Sequence, residues 1–159
     1  MSSNALALCV RAAVIALTLC LFILLLSMLP SIGQDAIRAY PEYAYWSVPW
    51  TIFAWLCSAP LFVLFYFVWK VSGAIKREEV FSFKVAKWIK NAAYILFGDI
   101  AFFFFGNIAL ALTGRNHPYL MVVSIVLIIL GIALALAAAV LSRYIAKAAI
   151  LQEESDATV

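Results

Sequence analysis

Four apolar runs, each close to the thickness of a bilayer's hydrocarbon core, constrain this chain more than any other feature. The first is Ala12–Leu29, extendable back to Ala5 across Arg11. Val48–Trp69, Ala92–Leu112 and Tyr119–Leu141 follow. A core about 30 Å thick takes about 20 helical residues to cross. Barrel strands would alternate in polarity over about ten residues, and nothing here alternates. Backbone groups in lipid must find partners within their own segment, so the runs read as helices. The expected fold is all-α, an integral membrane bundle of four transmembrane helices at about 8–29, 48–71, 91–112 and 119–141, in a single domain over 1–159. Only 12% of residues are charged, against about 25% in a soluble domain.

The runs carry their own boundaries. Leu29-Pro30-Ser31-Ile32-Gly33 reads as the break after the first helix, and Gly114 and Pro118 bracket a tight turn between the third and fourth. Pro60 lies inside the second run, where it frees a backbone carbonyl and is expected to kink the helix. Ser31-Ile32-Gly33 also has the small residues of a signal-peptidase site. The preceding apolar stretch of 18 residues is longer than the roughly 7–15 of a removed signal. A retained anchor helix is expected; cleavage would leave three helices.

Lysine and arginine set the orientation. Lys70, Lys76, Arg77, Lys84, Lys87 and Lys90 lie between the second and third helices, Arg143 and Lys147 follow the fourth, and Arg11 opens the first. Only Arg38 and Arg115 stand on the other side. Both termini and the middle loop are therefore expected in the cytoplasm, and the chain in the bacterial cytoplasmic membrane. Tyr40, Tyr43, Tyr45, Trp46 and Trp50 crowd the opposite edge. They read as an interfacial belt, with an aromatic ligand cage as the sharper alternative.

The middle loop has helical content of its own. Ser82 can cap a helix beginning at Phe83, in which Lys84, Lys87 and Lys90 wind as a basic stripe while Phe83, Ala86 and Ile89 take another face. Such a stripe suits anionic lipid headgroups or an acidic partner. It forms no surface that could track nucleic acid, so no direct nucleic-acid binding is expected. The fourth helix is unbroken by proline to about residue 151, far beyond a bilayer's thickness. Beyond it stand Glu153, Glu154 and Asp156. This acidic end can fold on the basic loop, recruit a basic partner, or stay solvated.

Polar groups within the runs are few. Asp99 is the one acid inside a crossing, a functional candidate by default. Arg11, entering from the same side, is its expected partner in a structural intramembrane pair; a protonatable Asp99 facing water would instead serve ion coupling. Asn107 offers an interhelical hydrogen bond, and Gly131, Ala135 and Ala139 allow close helix approach within the bundle or in a dimer. Phe102–Phe105 cover every face of their helix and define no single site. Cys9, Cys20 and Cys57 lie in apolar runs without a CxxC pair and read as buried small hydrophobes. The one histidine, His117, has no second ligand or nucleophile beside it. No metal or cofactor is expected, and no enzymatic activity.

Several short motifs carry a likeness to a known family: Tyr40-Pro41, and Phe81-Ser82 followed by Val85, Lys87, Ile89 and Lys90-Asn91. Ala137-Ala138-Ala139-Val140-Leu141 and the ending Glu153-Glu154-Ser155-Asp156-Ala157-Thr158-Val159 complete the set. In these the chain resembles the bacterial membrane family named domain of unknown function 2975. The resemblance implies an uncharacterised four-helix protein of the bacterial cell membrane. It also implies, as a possible partner, the small helix-turn-helix regulators encoded beside such proteins. The usual ending has Asn-Asp-Leu-Thr where this chain has Ser155-Asp156-Ala157-Thr158. Two functions are thus expected to compete. One is a non-enzymatic protein binding a cytoplasmic partner through its basic loop and acidic tail. The other is a small ion-coupled transporter or exporter using Asp99.

Overall fold

The computed structural model describes residues 3–39, 41–113 and 118–157. Every regular element is helical: α1 (Ser3–Ile23), a π-helical segment (Leu24–Met28), α2 (Leu29–Ala39), a 3₁₀ segment (Pro41–Trp46), α3 (Ser47–Lys76), α4 (Phe83–Leu112) and α5 (Pro118–Ala157). Four stretches are long and apolar enough to cross a membrane: Ser3–Asp35, Ser47–Lys76, Phe83–Leu112 and Met121–Ser155. The turn expected at Gly114 to Pro118, with Arg115 and His117, lies largely outside the described residues.

The first helix does not break at Pro30 as the sequence suggested. It runs on to Ala39 by passing through a π turn. There the Leu29 amide donates to the Leu24 carbonyl, one residue further back than in an α-helix. Pro30 has no N–H, so Leu25 loses its donor from both registers: Leu29 is already committed, and residue 30 cannot donate. The Trp55 indole N–H of α3 donates to the Leu25 carbonyl at 3.3 Å. The orphan is satisfied from the neighbouring helix, and the proline is tolerated. Pro60 likewise sits inside an uninterrupted α3.

Helix ends have identifiable caps. At the end of α3, Glu79 N–H donates to Ala74 and Glu78 N–H to Ile75, the paired bonds of a Schellman motif. Glu78 holds the left-handed position at φ 60°, where glycine is usual. At the start of α4, the Ser82 hydroxyl accepts from the Val85 amide at 3.4 Å, as its position ahead of Phe83 predicted.

The helices pack in a row. α1 lies on α3, α3 on α4, and α4 on α5, the last contact being the most extensive; among the described residues α1 shares no substantial contact with α4 or α5. The α4–α5 seam is made of small residues on α5: Ser124, Ala135, Ser142 and Ala149 are buried. A Cβ on Gly131 would come within 2.9 Å of Ile100. This close approach is within the chain. Asn107 bonds across it, accepting from the Ser124 hydroxyl at 2.9 Å. Ser142 donates to the Ala86 carbonyl and Ser72 to the Ala7 carbonyl, each at 2.9 Å. Such bonds serve where lipid offers none, each worth about 0.6 kcal/mol. Phe53 of α3 stacks on Phe103 and lies over Gly106, while Phe102, Phe104 and Phe105 face outward. Cys9 and Cys20 also face outward rather than into a core, because α1 buries only the Ala7–Val14 edge.

Candidate functional site

Chain connectivity and capping bring three segments to one end of the bundle. Ser3 at the start of α1 donates to Glu78 Oε1 at 2.9 Å, tying the amino end to the loop between α3 and α4. From α5, Ile145 packs with Ala74 at the end of α3 and Val85 at the start of α4, and Ala149 one turn on is also buried. Beneath the loop lies a small core of Ala74, Val85, Ala86 and Ile145, flanked by Val71, Trp88 and Ile89. The loop is held at both caps and by an Arg77–Glu79 ion pair of 3.3 Å. That exposed pair contributes little; the caps do more.

Basic side chains at this end meet aromatic rings. Lys84, Lys87 and Lys90 are exposed on α4, Lys84 within 5.5 Å of the Trp88 ring centre and Lys90 within 5.6 Å of Tyr94. Lys70 of α3 lies 4.6 Å from the Tyr66 ring and 5.3 Å from Trp88. Arg11 reaches 5.1 Å from Trp69. Ammonium and guanidinium groups are attracted to such faces, and long basic side chains at helix ends reach toward the interface in this way. The roles of Lys70, Tyr66, Trp69 and Trp88 went unread in the sequence, although Lys84 and Trp88 stand one turn apart and Trp69-Lys70 closes an apolar run.

The acidic end is a continuation of α5 rather than a separate tail. Helix extends to Ala157, past the limit near 151 expected from the sequence, and Glu153 and Glu154 are exposed on it. The side chain of Asp156 lies outside the described residues, as do Thr158 and Val159.

The structure does not bring Arg11 and Asp99 together. The Arg11 Nε and the Asp99 Oδ1 are both enclosed, and neither has a hydrogen-bond partner. Helix order is the reason: α1 and α4 lie on α3 without a substantial contact to each other. Depth separates them too. Arg11 is level with Trp69 and Gly73 of α3. The register set by Phe53–Phe103 and Lys70–Trp88 puts Asp99 opposite the stretch from Cys57 to Pro60. About ten residues along α3 amount to about 15 Å.

At the opposite end, α2 and the start of α3 enclose a mostly apolar cleft of about 250 Å³, lined by Pro30, Gly33, Ile37, Val48, Thr51 and Trp55. The expected aromatic belt lies nearby. Tyr45 is exposed and Trp50 meets Phe53 edge-on at 6.2 Å, whereas Tyr40 and the side chains of Tyr43 and Trp46 lie outside the described residues. Among the described residues, no three His, Cys, Asp or Glu side chains gather as a metal would require.

Comparison with known proteins places this architecture among membrane proteins. Residues 31–159 match a family model described as "Protein of unknown function (DUF2975)". The chain is 24% identical over 145 residues to the uncharacterized membrane protein YoaS of Bacillus subtilis (strain 168), covering 90% of this chain and 88% of that one. No solved structure matches it. With its four spanning helices, the chain is a multi-pass membrane protein.

Proposed function

This chain belongs to the DUF2975 family of proteins of unknown function, and from that premise we propose that it is a non-enzymatic protein of the bacterial cytoplasmic membrane that docks a cytoplasmic partner on its loop end. The observation that carries this reading is the reach of α5. Its 40 residues extend about 60 Å, twice the roughly 30 Å of a bilayer core. Ser142 already lies level with Ala86, three residues from the start of α4, so the excess helix runs past α4 and carries Glu153 and Glu154 exposed on it. A projecting helix with charge on it is a handle for a soluble partner. The family resemblance supplies a class for that partner, a small helix-turn-helix regulator.

The orientation belongs to the same proposal. Nine lysines and arginines at the loop end against two at the other direct the loop end to the cytoplasm. A cytoplasmic-active reporter inserted near Val80 should then be active, and a periplasmic signal there overturns the topology. Truncation after Leu151, compared with the full chain by affinity capture, tests the docking. Partner recovery should fall strongly; equal recovery removes the α5 end from the reading.

A second reading, ion-coupled transport, is favoured by one observation. The Asp99 carboxylate lies within a crossing with Oδ1 enclosed and unpaired. In proteoliposomes carrying a pH dye, this reading requires proton flux that Asp99→Asn abolishes. Flux absent from the wild type, or equal in the variant, ends it.

A further inference from the structure

We propose that the groove between α3 and α4 at the loop end binds the headgroup of an anionic phospholipid, through Lys70 and Lys84, which both approach Trp88. The inference does not depend on a protein partner.

Convergence of positive charge is the first ground. Lys70 Nζ from α3 and Lys84 Nζ from α4 stand 5.3 and 5.5 Å from the centre of the same indole ring. Two ammonium groups held on one side chain repel each other unless an anion lies within their reach. Among the described residues neither lysine is in an ion pair. The two acids of the adjoining loop are occupied elsewhere, Glu79 with Arg77 and Glu78 with the Ser3 hydroxyl.

The second ground is the helix itself. The first turn of α4 contains no acidic residue, yet Lys84 sits in it, at the end where the backbone already carries positive partial charge. A cation there is unfavourable and an anion favourable, and Ser82 caps the amide of Val85 without adding charge. Helix end, Lys84 and Lys70 together form an uncompensated positive site.

The third ground distinguishes a lipid from an acidic protein segment. Tyr66, whose ring Lys70 approaches, Phe81 ahead of α4 and Phe83 in its first turn are exposed at this end of the bundle, at the level where the apolar crossings end. A ligand seated there meets charge on one side and hydrocarbon on the other. A phosphodiester with acyl chains satisfies both; a hydrated acidic peptide leaves the rings uncovered.

Native mass spectrometry of the purified full chain tests this with phosphatidylglycerol and phosphatidylcholine of matched acyl chains. The wild type should bind the first phosphatidylglycerol about twenty-fivefold more tightly than phosphatidylcholine, on a basis of about fivefold for each lysine. Lys70→Gln with Lys84→Gln should remove that preference. Arg143→Gln with Lys147→Gln, which removes the same charge from α5, should retain it. Equal binding of the two lipids by the wild type overturns the proposal and needs no variant to fold. So does a preference that survives the α3–α4 double substitution, or one lost equally in the α5 pair. Displacement of phosphatidylglycerol by hexaglutamate at similar concentration reassigns the groove to acidic protein and also overturns it.

Discussion

The bond from Trp55 to Leu25 gives the sharpest test of how this chain tolerates a proline in its first crossing. The Leu25 carbonyl lacks a helical donor because Leu29 is bonded to Leu24 and Pro30 has no N–H. Trp55 supplies the missing hydrogen at 3.3 Å. Trp55→Phe keeps the aromatic packing and leaves a bare carbonyl in an apolar setting, which costs about 1–3 kcal/mol. Half-exposure of Trp55 and the length of the bond put the expected loss near the lower limit, about 1 kcal/mol. Pro30→Ala restores an amide and lets the chain return to α-helical register, in which Leu29 serves Leu25 directly. It also removes a helix-interior proline, a residue about 3 kcal/mol worse than alanine in that setting. In the Pro30→Ala background, then, Trp55→Phe should cost little beyond ring area. The double-mutant cycle, followed by reversible unfolding in mixed micelles, should give a coupling of about 1 kcal/mol. Coupling within about 0.3 kcal/mol, the ordinary limit of additivity, would falsify the account and leave Trp55 as packing alone.

Three further outcomes follow from particular contacts. Glu78→Gly relieves the left-handed residue at the end of α3 and should raise unfolding stability by about 1 kcal/mol, offset in part by loss of the exposed Ser3 bond; a lowered melting temperature contradicts the cap. Gly106→Ala places a methyl inside the Phe53 ring, which stacking on Phe103 holds in place. It should destabilise by about 1–3 kcal/mol, visible as a lower detergent unfolding midpoint. Ser82→Ala removes the α4 cap and should cost about 1 kcal/mol, with faster amide exchange at Val85 as the local signature.

Much of this architecture was legible because a membrane leaves few options. Apolar length alone gave four crossings, and Ser82 ahead of Phe83 gave the start of α4. Asn107 and the small residues Gly131, Ala135 and Ala139 announced a close helix approach, within the bundle or in a dimer; the Ser124 bond to Asn107 and the Gly131–Ile100 approach place it between α4 and α5. Pro30 misled because proline's effect depends on register. An ordinary α-turn would have clashed with its ring, and a π turn, invisible in composition, removes the conflict at the cost of one carbonyl. The end of α5 was set short because the acidic residues were read as a tail, whereas nothing in Gln152–Ala157 obliges the helix to stop.

The pairing of Arg11 with Asp99 failed for a reason that bears on function. Sequence supplied the right side of the membrane and opposite charges, but neither quantity says which helices are neighbours. Once α3 separates α1 from α4, Arg11 turns to Trp69 at the bundle's end, and Asp99 is left deeper without a cation. The same ordering gathers the remaining positive charge at the loop end, where Lys70 reaches across to the helix bearing Lys84. Arg11, Lys70, Lys84 and Lys90 are thus held at this end by aromatic rings rather than beside the interior acid. Chemistry at this protein's loop end and chemistry at Asp99 are therefore separable by substitution, and a phenotype assigned to one cannot be borrowed to explain the other.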